Sequence, residues 1–165
     1  MPFPYYAKLK PRQKAIYRRS DSIVEVELPG AEELSPLVES IQQALALEER
    51  AAIERAAAEL SAVILQNLGV TPARIKVLSV RPSNNWGELH GEYHPAEGQQ
   101  RAVLRVWMRT EQQKKIVAFR TFLRTLLHEL CHHLDYELLE LADSFHTDGF
   151  FKRESSLFKQ LMREN

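Results

Sequence analysis

The residues of this chain best suited to chemistry form one short run, His128-Glu129-Leu130-Cys131-His132. In an α-helix, positions four apart lie on one face, so the two histidines can offer imidazole nitrogens to one metal ion. Glu129 follows the first histidine, where its carboxylate can reach a water molecule rather than the metal. This H-E-x-x-H pattern is typical of zinc-dependent hydrolases, which combine these ligands and a general base with an open coordination position.

A catalytic zinc ion needs a third protein ligand. His146 is the preferred candidate, because it follows an acidic, polar break after the motif helix and can be turned back toward it. Glu154, on the helical segment that follows, is the main alternative, and Asp143 is a weaker one. The sequence therefore predicts a zinc site formed by His128, His132 and His146.

Other reactive side chains near the motif are interpreted as non-ligands. His133 is rotated by about 100° from His132 on a helix, so it cannot bind the same ion without distortion. His90 and His94 lie in or beside a predicted strand, where a hydrogen-bonding or surface role is preferred. Cys131 also points away from the ligand face and has no evident base partner, which disfavours a cysteine hydrolase.

The motif needs a helix, and the surrounding sequence predicts one. No Pro or Gly interrupts residues 114–141. Apolar residues recur there at steps of three and four, which indicates one buried face and one polar face carrying the histidines. These apolar residues are Ile116, Phe119, Leu123, Leu126, Leu127, Leu130, Leu134, Leu138 and Leu141.

A hydrolytic site also needs groups that orient its ligands and stabilise the oxyanion that develops during attack. Asp135 and Asp148 are candidates for orienting a ligand histidine. The sequence leaves four candidates open as oxyanion donors: Tyr136, Arg105, Arg109 and Arg153.

The rest of the pattern predicts an α+β fold. Helices are expected from Pro36 to residue 47 and over residues 51–68, where Gly69 ends the second. Strands are expected at residues 22–28, 75–80, 88–93 and 102–108, because β-branched residues alternate with polar ones between turn signals. The last strand alternates apolar and basic side chains, which indicates one buried face.

The order His128-Glu129-x-x-His132, then His146-x-x-x-Phe150, resembles the SprT-like and YgjP-like zinc metallopeptidases. Trp86-Gly87 extends the resemblance, which covers roughly residues 75–161. It implies a minimal zincin-like fold, in which a small antiparallel or mixed sheet of three to four strands packs on helices and the motif lies on the central helix. It also implies peptidase activity, with residues 102–108 beside the cleft and their free edge available to an extended peptide.

Composition restricts the remaining possibilities. A chain of 165 residues suits one domain, and 22 basic against 22 acidic residues give no overall charge signature of nucleic-acid binding. The single cysteine excludes an internal disulfide, and neither a signal peptide nor a membrane-spanning run is evident. We therefore expect a cytoplasmic protein that acts on protein or peptide substrates without a membrane partner.

Residues 1–20 are predicted to form a flexible basic arm, and residues 21–165 the metallopeptidase domain. The arm suggests a weak contact with nucleic acid, against the simpler interpretation of a solvated tail. A nucleic-acid-associated protease is therefore one alternative function, and a zinc-stabilised adaptor without turnover is another. The basic residues concerned are Lys8, Lys10, Arg12, Lys14, Arg18 and Arg19.

Overall fold

The computed structural model of the chain describes residues 2–80, 83–84, 87–88, 91–110 and 113–163. Within these ranges the fold is α+β, as the sequence predicted, and the expectations for Trp86 and His90 lie outside them. The helices are α1 (Pro11–Ser22), α2 (Ser35–Leu47), α3 (Arg50–Asn67), α4 (Phe119–Glu137) and α5 (Asp148–Met162). The strands are β1 (Arg74–Val80), β2 (Ser83–Asn84), β3 (Gly87–Glu88), β4 (Gly91–His94) and β5 (Val103–Arg109), and two 3-10 helices span Pro4–Lys8 and Ala31–Leu34.

Three of these strands form a small mixed sheet in the order β1-β5-β4. β1 runs parallel to β5, with Val77 opposite Val106, and β4 runs antiparallel to β5, with Tyr93 opposite Leu104. β2 and β3 form a separate antiparallel pair. The mixed sheet agrees with the predicted small sheet.

The position of β5 differs from the expectation of a free edge. β5 lies between β1 and β4, so both of its edges are occupied, and the strand bordering the site is instead β4. Side chains on both faces of β5 are buried, with Val106 1% and Trp107 6% exposed. The alternation of apolar and basic residues predicted only one buried face. The sequence does not show that the face carrying Trp107 is covered as well.

The helices predicted at residues 36–47 and 51–68 are present close to their predicted bounds, whereas the motif helix is shorter than the apolar pattern of residues 116–141 indicated. Pro36 lies in the first turn of α2, where its fixed φ angle suits a helix start. Gly69 follows the end of α3 with a φ of 71°, a conformation that glycine adopts without a Cβ penalty. α4 carries the H-E-x-x-H motif and packs against β4, β5 and α5, so the motif helix is central.

Most of the N-terminal segment that was predicted to be an arm is helical and packed on the rest of the chain. Residues 11–22 form α1, which packs against α5. Tyr17 is only 1% exposed and Ser20 is fully buried. The basic residues predicted a charged, solvated segment, whereas Tyr17 and Ser20 give the segment a buried face.

Residues 22–28 do not form the predicted strand. α1 extends through Ser22, and residues 23–28 pair with no strand in the part of the chain that the structure describes. Val26 and Leu28 are buried, which explains the alternation. Their backbone polar groups are satisfied by a side chain of α5 instead of a strand: Gln160 Nε2 donates to the Val26 carbonyl at 2.7 Å and its Oε1 accepts from Leu28 N at 2.8 Å.

Candidate metal centre

α4 presents its two motif histidines on one face because they lie four residues apart. The opposite face joins the core, where Leu126, Leu127 and Leu130 are fully buried. His128 and His132 are partly exposed at the mouth of a cleft, and Glu129 beside them is 4% exposed. The amphipathic pattern of this helix therefore fixes which way the histidines face.

The loop between α4 and α5 brings a third imidazole to these two. His146 Nε2 lies 3.1 Å from His128 Nε2 and 3.0 Å from His132 Nε2. One ligand atom from each of the three residues lies within 4.8 Å of the others. The three histidines that the sequence singled out are thus positioned to bind a metal ion.

The Glu154 carboxylate lies against the opposite side of the His128 ring. Its Oε1 is 2.7 Å from His128 Nδ1, where it accepts a hydrogen bond. This bond places the proton on Nδ1 and leaves the Nε2 lone pair free for a metal. Glu154, the main alternative third ligand, therefore orients a histidine, while His146 is the residue beside the Nε2 atoms.

His132 is oriented through a serine. Ser144 Oγ donates to Asp135 Oδ2 at 2.7 Å, so its oxygen must accept from His132 Nδ1, also at 2.7 Å. The His132 Nε2 lone pair then faces the same space as that of His128. Asp135 thus fills the orienting role predicted for it or for Asp148, which pairs instead with Lys152 at the surface.

The electrostatics of the cluster favour the neutral form of His132 and His146. Burial, followed by the nearby His128 and His146, lowers the pKa of His132 to about 3. Burial and His128 also lower the pKa of His146. Neutral imidazole is the form that binds metals. Tetrahedral zinc with Zn–N bonds near 2.0–2.1 Å separates its nitrogen ligands by about 3.3 Å, which is close to the two spacings from His146 Nε2.

Glu129 is the carboxylate nearest the open side of the cluster. Its Oε2 lies 4.0 Å from His128 Nε2. Burial raises the pKa of Glu129 to about 7, an effect that His128 opposes and Glu154 and Glu92 reinforce. A carboxylate with such a pKa can both accept and return a proton near neutral pH.

These groups border a cavity of about 280 Å³ between α4 and β4. Tyr93 and Tyr136 form one wall, with their rings stacked at a centroid distance of 6.0 Å. Tyr136 is the one proposed oxyanion donor that lines this cavity. The lining residues are Gly91, Glu92, Tyr93, Pro95, His128, Glu129, His132, Tyr136, Ser144 and His146.

The three arginines proposed as oxyanion donors are engaged elsewhere. Arg105 pairs with Glu92 at 3.4 Å and Arg109 with Glu48 at 3.0 Å. Arg153 is 1% exposed and pairs with Asp135 at 3.0 Å. None of the three lines the cavity described above.

Of the residues interpreted as non-ligands, the three that the structure describes, His133, His94 and Cys131, lie outside the cluster. His133 is buried and bonds on both sides, accepting from the Tyr93 hydroxyl at 2.8 Å and donating to the Thr71 carbonyl at 2.7 Å. His94 lies at the surface beside Glu92. Cys131 is 1% exposed, and burial raises the pKa of its thiol. His90 lies outside the described residues.

Sequence reasoning missed three contributors to the site. It gave Ser144 no role, took Glu154 only as a ligand, and passed over Gly91. A Cβ atom at Gly91 would lie 2.9 Å from both Cγ and Oε2 of Glu129, so β4 can pass this close only at a glycine. The one signal in the sequence for any of these roles was the position of Ser144, two residues before His146.

Comparisons of the chain with protein-family models, with curated proteins and with solved structures found no match. Among the helices of the described residues, none is long and apolar enough to cross a membrane.

Proposed function

We propose that this protein is a zinc-dependent metallopeptidase. The observation that carries the proposal is the convergence of the Nε2 atoms of His128, His132 and His146 beside the buried carboxylate of Glu129. Three imidazoles with a free position suit a catalytic zinc ion, because a structural site fills all four positions with protein ligands. A purely structural site would also have no use for a carboxylate with a raised pKa beside its ligands.

The fold we propose for this activity is that of a minimal zincin similar to the SprT-like and YgjP-like peptidases. The mixed sheet beside the central helix α4 supports this assignment. So does the order of the motif, the loop histidine and the helix that follows, α5.

The chemistry divides between the ion and the chain. Zinc held by the three histidines supplies a Lewis acid that polarises a carbonyl group and acidifies water. Glu129 takes the proton from the attacking water and delivers it to the leaving nitrogen, because its carboxylate lies beside the ligand histidines and lines the cavity. Glu154 and Ser144 hold the ligand protons on Nδ1, so that both Nε2 atoms of α4 stay unprotonated.

The substrate is held, in this proposal, as an extended peptide along β4. Of the three strands of the described sheet, β4 is the one that borders the cavity. An edge strand can bind a peptide through main-chain hydrogen bonds. Tyr136 is the preferred donor to the developing oxyanion, because it lines the cavity and the bond from its hydroxyl to Asp143 is long, at 3.4 Å.

Replacement of Glu129 by Gln separates turnover from metal binding. Gln preserves the size of the side chain but cannot accept a proton, so peptidase activity should fall by roughly two or more orders of magnitude. Zinc content should stay near that of the wild type, because Glu129 is not a ligand. Cleavage of a panel of unfolded proteins, with elemental analysis of both proteins, measures the two quantities together.

The controls decide between the proposal and its alternatives. The His128→Ala/His132→Ala double variant should lose both zinc and activity. Equal cleavage by wild type and Glu129→Gln would contradict the role of Glu129. A zinc-loaded wild type that cleaves no protein in the panel, with or without DNA, would favour the adaptor function instead.

A further inference from the structure

The N-terminal segment lies directly against the loop that supplies the third histidine. The Tyr5 hydroxyl donates a hydrogen bond of 2.6 Å to the backbone carbonyl of His146. The rings of Tyr5 and Tyr17 both pack against Phe145, with centroid distances of 6.4 and 6.2 Å. The residue before the ligand therefore packs against two tyrosines, and the ligand itself is bonded to one of them.

The C-terminal end of α1 contacts the residues that follow His146. Ser20 Oγ lies 3.2 Å from Thr147 Oγ1, and Asp21 Oδ1 accepts from the Gly149 amide at 3.0 Å. A Cβ atom at Gly149 would lie 2.5 Å from the Asp21 carbonyl oxygen and 2.6 Å from that of Ser20. α1 and the first turn of α5 are thus so close that no side chain fits at position 149.

Arg153 connects the same end of α1 to a second histidine. Its guanidinium donates to the Ser20 carbonyl at 2.5 Å and to Asp135 Oδ1 at 3.0 Å. Asp135 accepts from Ser144, which in turn accepts from His132. α1 therefore supports both the loop ligand and one ligand of α4.

We infer that the contacts of Tyr5 and α1 with the His146 loop support the metal centre, and that Tyr5 is a positioning residue for His146. This inference rests on the metal site of the proposed function, and it does not depend on the reaction catalysed there. His146 is the ligand that comes from a loop, so its backbone must be ordered before three ligands can act together. Contacts that order the loop in advance remove that entropic cost from metal binding.

The chain offers a matched control for the Tyr5 hydroxyl. Tyr6 lies in the same 3-10 helix, and its ring also packs against Tyr17, at 5.0 Å. Its hydroxyl, however, accepts from Arg18 at 2.7 Å rather than bonding to the His146 loop. Replacing either tyrosine by Phe keeps the ring and removes one hydroxyl, so the two variants differ in whether that hydroxyl contacts the ligand.

The test is zinc affinity of the full-length protein, measured by competition with a chromophoric chelator. Tyr5→Phe should weaken zinc binding about three- to tenfold, the range expected for one lost hydrogen bond. Tyr6→Phe should leave the affinity unchanged. Thermal unfolding of the metal-free proteins, compared with the metal-free wild type, shows whether either substitution disturbs the fold itself.

The effect of Tyr5→Phe in a His146→Ala protein distinguishes positioning of the ligand from general stabilisation of the fold. If Tyr5 acts through His146, then Tyr5→Phe should cause no further loss of affinity in a His146→Ala protein, which binds zinc through two histidines. Equal losses in both backgrounds, or equal affinities of Tyr5→Phe and Tyr6→Phe, would overturn the inference and leave the metal site intact. A wild type that binds no zinc would overturn the proposed site and this inference together.

Discussion

Gly91 is a single residue on which the position of the proposed general base depends. Glu129 is 4% exposed, and its Cγ and Oε2 lie where a side chain at position 91 would begin. A Cβ there would also lie 3.1 Å from the Arg105 carbonyl, so β4 cannot move toward β5 to make room. The absence of a side chain at Gly91 allows both the sheet and the carboxylate to keep their places.

Substituting Ala at Gly91 should therefore displace Glu129 while leaving the three histidines in place. We expect peptidase activity to fall by roughly 10- to 100-fold, the effect of a catalytic group moved by about 1 Å. Zinc content should be unchanged, because the Gly91 contacts do not involve the ligands. Steady-state cleavage rates and elemental analysis measure the two effects.

Ser79→Ala is a suitable comparison, because Ser79 is an exposed residue on β1 and does not line the cleft. It should have the activity of the wild type. If Gly91→Ala also keeps full activity, the Cβ is accommodated without moving Glu129 and the role given to Gly91 is wrong.

α5 acts as a second site-forming helix behind α4. Its N-cap, Thr147, accepts from the Phe150 amide at 2.9 Å and begins the helix one residue after His146. Glu154 then reaches His128, and Arg153 reaches Asp135 on α4. The pair of Arg153 with Asp135 is almost fully buried, at 1% and 0% side-chain exposure. α5 thus orients the metal ligands His128 and His132, and it begins directly after the loop that carries His146.

Removing the charge of Arg153 should leave Asp135 as an unpaired buried carboxylate. The Arg153→Met variant is therefore expected to lose about 3–5 kcal/mol of unfolding free energy, the usual result of breaking such a pair. Urea denaturation of the metal-free protein, followed by circular dichroism, measures this loss.

Lys152→Met provides the comparison on the same helix. The pair of Lys152 with Asp148 is more than half exposed, and exposed pairs contribute little. The free energy of unfolding of the Lys152→Met variant should stay close to that of the wild type. Similar unfolding midpoints for the Arg153 and Lys152 variants would show that the buried pair does not hold α5 to α4.

At the scale of the whole molecule, the metal centre joins parts that are distant in sequence. Tyr5 contacts His146 across 141 positions, and Arg153 contacts Ser20 across 133. An ion at the three histidines would therefore bind the folded chain far more tightly than the unfolded one. Ligand binding of this kind raises the free energy of unfolding.

Zinc should consequently stabilise the protein against heat. At a zinc concentration 100 times the dissociation constant, we expect the melting temperature to rise by about 5–10 °C, from a stabilisation of about 2.7 kcal/mol. The His128→Ala/His132→Ala variant should show no such rise. Differential scanning fluorimetry with zinc and with a chelator makes the comparison, and a similar rise in both proteins would place the bound zinc elsewhere.

The sequence by itself determined the helices α2 to α5 and the motif. The apolar residues at three- and four-residue steps in residues 116–141 predicted α4, because helical periodicity is a local property. The same periodicity fixed which side of α4 carries His128 and His132, and the polar break placed His146 after it. Local patterns likewise predicted α2, α3 and the strands β1 and β5.

Contacts between distant segments were decided only in the tertiary structure. Alternation in residues 22–28 predicted a strand, yet the backbone there bonds to Gln160 of α5 and pairs with no strand among the described residues. The charges of residues 8–19 predicted an arm, yet Tyr17 and Ser20 pack α1 behind the His146 loop. The choice between His146 and Glu154 also needed three dimensions, because both follow the motif in sequence. Glu154 approaches one ring nitrogen of His128 and His146 approaches the other. This arrangement depends on how α5 packs against α4, and no local pattern encodes that packing.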